Sequence, residues 1–154
     1  MLRVSKQIEY GLMVLSLLKN SSPNYAFSAK QVALSTGAPF DAVARVMKKL
    51  CKDKVLSSSQ GVNGGYSLNI ELKDLSFKQL TEIIDGPFAL TKCLQAKSDC
   101  QLSENCNIVS PVTKLQQRFL EFYSSLYMDE LLESAQKKSP NDWQEKIKMA
   151  AELL

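Results

Sequence analysis

The sequence predicts a mostly α-helical fold carrying one small β-hairpin. Apolar residues recur at helical spacing over about 5–20, 39–52 and 110–133. A glycine-rich run, GVNGG at 61–65, separates two short segments of strand-like composition. Serine and glycine sit where helices open and close, at Ser28, Gly37, Ser76 and Gly86.

The first helix is expected over about 5–20, with Ile8, Leu12, Leu15 and then Leu18 or Lys19 along one face. A polar turn, NSSPNY, ends it. Ser28 then caps a short helix, SAKQVALSTG, which Gly37 stops. PFDAVARVMKKLCKDK supplies a further helix over about 39–52, with Val43, Val46, Met47 and Leu50 repeating at helical spacing. Two helices joined by a short glycine-containing turn make a helix-turn-helix. Val55–Ser59 and Tyr66–Ile70 read as strands, with Gly61, Asn63, Gly64 and Gly65 offering the positive-φ residues of the turn. A hairpin in that place is a wing. Ser76 opens a short helix, SFKQLTEIID, that Gly86-Pro87 ends.

After a polar cysteine-containing loop, SPVTKLQQRFLEFYSSLYMDELLE reads as one long helix. Ser110 is its expected N-cap and Pro111 its first residue, where a missing N–H does no harm. Val112, Leu115, Phe119, Phe122 and Leu126 step by three and four, a heptad seam that fits either a core-facing stripe or a dimerisation helix. A last helix, SPNDWQEKIKMAAELL, carries Trp143, Ile147 and Leu154 on one side. The expected organisation is a winged helix-turn-helix over 1–75, a short helix and cysteine loop over 76–109, and a dimerisation helix with a C-terminal helix over 110–154.

The net charge of +3 is unevenly spread. Residues 1–60 hold nine Lys/Arg against three Asp/Glu, whereas 61–154 hold ten against thirteen. A basic first part favours a polyanion partner, double-stranded DNA in this context. The second helix of such a motif enters the major groove and the wing meets backbone or minor groove. The solvent face of that helix offers Asp41, Ala44, Arg45, Lys48 and Lys49. Arg45 is of a type to reach a guanine edge, and the lysines, Lys52 included, to meet phosphates. Ser28 and Lys30, at the start of the preceding helix, suit a phosphate through backbone N–H groups and charge. The wing adds Ser57, Ser58, Ser59, Gln60 and Asn63 as small polar donors.

The opening MLRVSKQIEYGLMVLSLL is interrupted by Glu9 and is followed by no small-residue cleavage site, so it is expected to be a helix of the fold and not a secretion signal. No stretch approaches the roughly 20 apolar residues of a membrane span. A cytoplasmic protein without membrane partners is therefore expected, a setting in which thiols serve metal or redox chemistry more often than disulfides.

Three of the four cysteines, Cys93, Cys100 and Cys106, are spaced C-x6-C-x5-C in a loop that also holds Lys92, Lys97, Asp99, Glu104 and Asn105. Such surroundings are poor core material. A disulfide would leave one thiol over. A structural zinc site wants close cysteine pairs and a fourth Cys or His, and the chain contains no histidine. An iron–sulfur cluster wants thiolates and tolerates wider spacing, because it is larger than one ion. Cys51, beside Leu50, reads as a packed or partly exposed thiol without a ligand role. The lack of histidine, of a nucleophile elbow and of a P-loop (GVNGG lacks the following Lys-Ser/Thr) argues against an enzyme.

The order of parts resembles a known family. The helix LRVSKQIEYGLMVL, the helix-turn-helix, the wing GVNGGYSL and DGPFALTKC leading into three cysteines are similar to the Rrf-type winged-helix regulators, over residues 1 to about 132. That family includes IscR-type iron–sulfur sensors, NsrR-type nitric-oxide sensors and regulators of SUF cluster-assembly operons; MLRVSK and DGPFALTKC look closest to the last. The resemblance implies a homodimer on a palindromic operator, controlling iron–sulfur cluster assembly genes. It implies Cys93, Cys100 and Cys106 as ligands of a 4Fe–4S or 2Fe–2S cluster, with Glu9 of the partner as fourth ligand, and Asp99, Glu104 or water as its rivals. There are departures: Gln60 stands where some members have a wing arginine, and Ala44 where a base-reading acidic residue falls. The competing expectations are a cluster-free transcription factor that senses oxidants through its thiols and a zinc-stabilised winged helix.

Overall fold

The computed structural model describes residues 3–21, 25–61, 64–95 and 105–133. Helix α1 (Lys6–Lys19) is capped by Ser5, whose hydroxyl accepts from the Ile8 N–H at 3.2 Å. Its Ile8, Val14, Leu15 and Leu18 are buried against α3 (Phe40–Lys52) and α4 (Phe77–Asp85). Gly11 lets α1 and α4 approach: a Cβ there would sit 2.5 Å from Ile84 Cδ1.

Helix α2 (Ala29–Thr36) opens with a full capping box, Ser28 and Gln31 exchanging side-chain and backbone bonds. It closes at Gly37, left-handed at φ 73°. Ser76 and Gln79 form the same box at α4, which Gly86 closes at φ 91°. In α3, Val43, Val46, Met47 and Leu50 face the core at 1% exposure or less. The core thus sits where α1, α3 and α4 meet, with α2 laid against α3.

The wing is an antiparallel pair, β1 (Leu56–Ser59) and β2 (Gly65–Leu68), in register Leu56 with Leu68 and Ser59 with Gly65. Its glycines differ from expectation in their reason. Of the three described, only Gly61 has a positive φ, at 116°. Gly64 and Gly65 are required by crowding: a Cβ would lie 2.5 Å from the Ser59 carbonyl oxygen at Gly64, and 2.6 Å from the Phe27 carbonyl carbon at Gly65. Asn63 lies outside the described residues. The close approach at Gly65 exists because Phe27, fully buried, pairs with Tyr66 through bonds of 2.9 and 2.8 Å and anchors the hairpin to the α1–α2 connection.

The long helix is shorter than expected at its far end and starts earlier. Helix α5 spans Val109–Ser125 with Ile108 at its cap, which places Ser110 and Pro111 inside the first turn. Proline is tolerated there because the first four N–H groups of a helix have no intrahelical acceptor. The chain then breaks at Leu126 and Tyr127, both extended. Phe77 N–H donates to the Leu126 carbonyl at 2.7 Å and Met128 N–H to that of Leu75 at 2.8 Å, so a strand-like bridge to Ser76 outcompetes helix continuation. The short α6 (Met128–Leu131) then buries Met128 completely. Its Asp129 pairs with Lys19 at 2.7 Å, tying it to the end of α1. The expected last helix, with Trp143, Ile147 and Leu154, lies outside the described residues. No helix among the described residues is long and apolar enough to cross a membrane.

Candidate nucleic-acid interface and thiol loop

Basic side chains are exposed on α2 and α3, and small polar ones on the wing. Lys30 is exposed on the first turn of α2. On α3, Asp41, Arg45, Lys48 and Lys52 are exposed and Ala44 is half-buried between them. Ser58, Ser59 and Gln60 are exposed at the wing, and the Ser57 and Ser67 hydroxyls bond across the strands at 3.0 Å. Ser28 is half-buried; its hydroxyl and N–H are engaged with Gln31 in the capping box.

Lys49 departs from the solvent face on which its spacing placed it. Its ammonium donates to Gln7 Oε1 at 3.0 Å and to the carbonyl oxygen of Ile84. That carbonyl belongs to the last turn of α4, where C=O groups lack intrahelical partners and the helix dipole favours a cation. Lys49 therefore links α3 to α1 and to the end of α4, the residues just before the thiol loop. Nothing local in the sequence separates it from Lys48. Phe40, 53% exposed as the first residue of α3, is the other feature of this face that sequence reasoning passed over.

The thiol loop leaves α4 at Gly86 and is fastened to α5 on its way. Phe88 lies against Tyr123 and Phe119, ring centroids 5.4 and 6.3 Å apart, and the Leu90 N–H donates to Gln116 Oε1 at 3.0 Å. Cys93 follows in a single 3₁₀ turn (Lys92–Leu94), half-buried, its sulfur 3.1 Å from Thr91 Oγ1. Cys106, also half-buried, stands three residues before α5 begins. Cys100, Asp99 and Glu104 lie outside the described residues, and among the described residues no three His, Cys, Asp or Glu side chains converge as a metal site. The two described loop thiols nonetheless fit a soft metal in kind. Both are sulfur donors on polar arms joined to one helix, and neither is sealed in the core. Cys51, by contrast, packs against the hydrophobic core.

Glu9 is on the first turn of α1, its side chain 38% exposed and paired with the Lys6 ammonium at 2.7 Å. Hydrogen bonding and charge attraction from Glu9 hold the Lys6 pKa above its ordinary value.

The remaining surface feature is α5 itself. None of its residues is buried, and Leu115 and Phe122 are 52% and 56% exposed. Val112, Phe119 and the adjoining Leu126 are only half-buried.

A helix-turn-helix with a following wing and exposed basic side chains on its two helices defines the class: a winged-helix transcriptional regulator. The family follows from comparison with known proteins. Residues 4–134 match the model of the Rrf2 family, described as iron-dependent transcriptional regulators, and the chain belongs to that family. An rrf2-like helix-turn-helix transcriptional regulator of Rhodobacter capsulatus is 28% identical over 138 residues, 84% of this chain and 91% of that one. The transcriptional regulator IscR of Vibrio vulnificus is 27% identical over 96 residues, 62% of this chain and 56% of that one. The fold is shared with CymR, the global cysteine regulator of B. subtilis, at a TM-score of 0.67 and 18% identity, over 88% of this chain and all of that one. These relatives are transcriptional regulators and not enzymes.

Proposed function

We propose that this chain is a DNA-binding regulator whose operator affinity is set by an iron–sulfur cluster held by Cys93, Cys100 and Cys106. The observation that carries the reading is the placement of Cys93 and Cys106: half-buried thiols on two arms joined to α5, flanking the segment that holds the third cysteine. Kinship to an IscR and a family of iron-dependent regulators support it. Glu9 of a second copy is the fourth ligand in this reading, released from Lys6 when the copies pair. A carboxylate is a harder donor than a thiolate and suits a site that must let go.

A bound cluster, 4Fe–4S or 2Fe–2S, supplies a cross-link that oxygen, nitric oxide or iron loss can undo. The protein does the rest. Leu90–Gln116 and the Phe88 ring hold the loop on α5, Gly86 joins it to α4, and Lys49 joins the last turn of α4 to α3. Two copies paired along the α5 seam present two recognition helices and two wings to a palindromic operator. A coupling of about 1–3 kcal/mol between loop and reading face is enough for a switch. The likeness of MLRVSK and DGPFALTKC to SUF-type regulators makes cluster-assembly genes the regulated set.

The test is anaerobic reconstitution of the full chain with iron and sulfide. Wild type is expected to gain a visible chromophore that Cys93→Ser, Cys100→Ser and Cys106→Ser each abolish or weaken. Glu9→Ala is expected to keep a chromophore of altered spectrum or shorter lifetime. A colourless wild type that binds DNA and responds to peroxide would replace this reading with the thiol-only sensor.

A further inference from the structure

Recognition helix α3 carries an apolar element on its reading face. Phe40 and Ala44 are one turn apart and Lys48 one turn further, so the three form a single row along the helix. The opposite side, Val43, Val46, Met47 and Leu50, is the buried one. Phe40 is 53% exposed and begins the helix, and Pro39 before it places no side-chain hydrogen bond on the first turn. The ring also borders a shallow cleft of about 550 Å³, where Leu34, 46% exposed, and Lys30 stand on the α2 side. Cations surround this element: Arg45 and Lys48 on α3, Lys30 on α2.

In a helix-turn-helix the first residues of the second helix meet base edges, while more distant cations meet phosphates. The apolar group displayed by a base pair in the major groove is the thymine C5-methyl. We infer that Phe40, with the Ala44 methyl behind it, reads thymine methyl groups in the operator, fixing an A·T pair in each half-site by apolar contact. The small Ala44 lets the helix backbone come close enough for the ring to reach. The inference rests on the reading of α3 as the groove-reading helix, and the continuity of the ring with the cationic face favours DNA over a protein partner for this patch.

The test begins with duplexes selected from a random library by the full chain, followed by replacement of each thymine by deoxyuridine. Wild type is expected to lose about fourfold in affinity at one thymine per half-site, the worth of one methyl group removed from apolar contact. Phe40→Ala should bind the methylated and unmethylated duplexes equally, and Phe40→Leu should keep part of the discrimination. The ring is on the surface, so an unchanged helical signal checks that the variants fold. Indifference of wild type to every replacement would overturn the inference, as would an equal loss for Phe40→Ala on both duplexes; either result leaves the Leu34–Phe40 cleft to a protein partner. A wild type with no salt-sensitive duplex binding would instead overturn the DNA-reading role of α3 itself.

Discussion

Helices α3 and α5 carry the same kind of apolar repeat and use it in opposite ways. In α3, Val43, Val46, Met47 and Leu50 are sealed by α1, α4 and α2. In α5, Leu115 and Phe122 stand more than half in water and no residue is buried. Helical periodicity says that a face will be covered; it does not say by what. The first half of the molecule completes its core within one chain. In the second half the described residues leave the α5 seam uncovered, and the thiol loop is fastened to that same helix.

The contrast is sharpest in stability. Leu50→Ala removes a fully buried side chain and should cost about 2–5 kcal/mol in chemical denaturation. A result near zero would mean that the winged-helix core is not the stabilising unit. Next in size is the seam. Leu115→Glu with Phe122→Glu should leave the helical signal intact while raising the dimer dissociation constant by roughly a hundredfold, about 2.8 kcal/mol. Sedimentation measures it, and an unchanged mass would place the interface elsewhere. Gly65→Ala should destabilise by roughly 1–3 kcal/mol through collision with the Phe27 backbone and should loosen the wing. The smallest effects separate two neighbouring lysines. Lys48→Met should lower the slope of log affinity against log salt by about 1, as for a lost phosphate contact. Lys49→Met should leave that slope unchanged and reduce the dependence of affinity on the state of the thiol loop, because its ammonium is held by Gln7 and Ile84.

Much of the first half was legible because its signals are local. Ser28 and Ser76 open helices that Gly37 and Gly86 close, and the buried face of α3 is written in four residues. The largest misread features are non-local. The break at Leu126–Tyr127 comes from bonds to Leu75 and Phe77, some fifty residues earlier in the chain. The need for glycine at 65 comes from Phe27, and the inward turn of Lys49 from a helix end thirty-five residues away. On the exposed face of α3, charge drew attention to Arg45 and Lys48, and Phe40, an aromatic at the helix start, was passed over. In the loop, spacing and residue type named the thiols, but no periodic pattern fixes a polar loop's shape, and the middle cysteine lies outside the described residues.

The most direct measurement of the central claim is operator affinity of one anaerobic preparation, taken before and after its iron is removed by a chelator, at constant salt. The wild type is expected to change its affinity about tenfold or more, the worth of about 1.4 kcal/mol, and Cys100→Ser not at all. Equal affinity of the iron-loaded and iron-stripped wild type would contradict it.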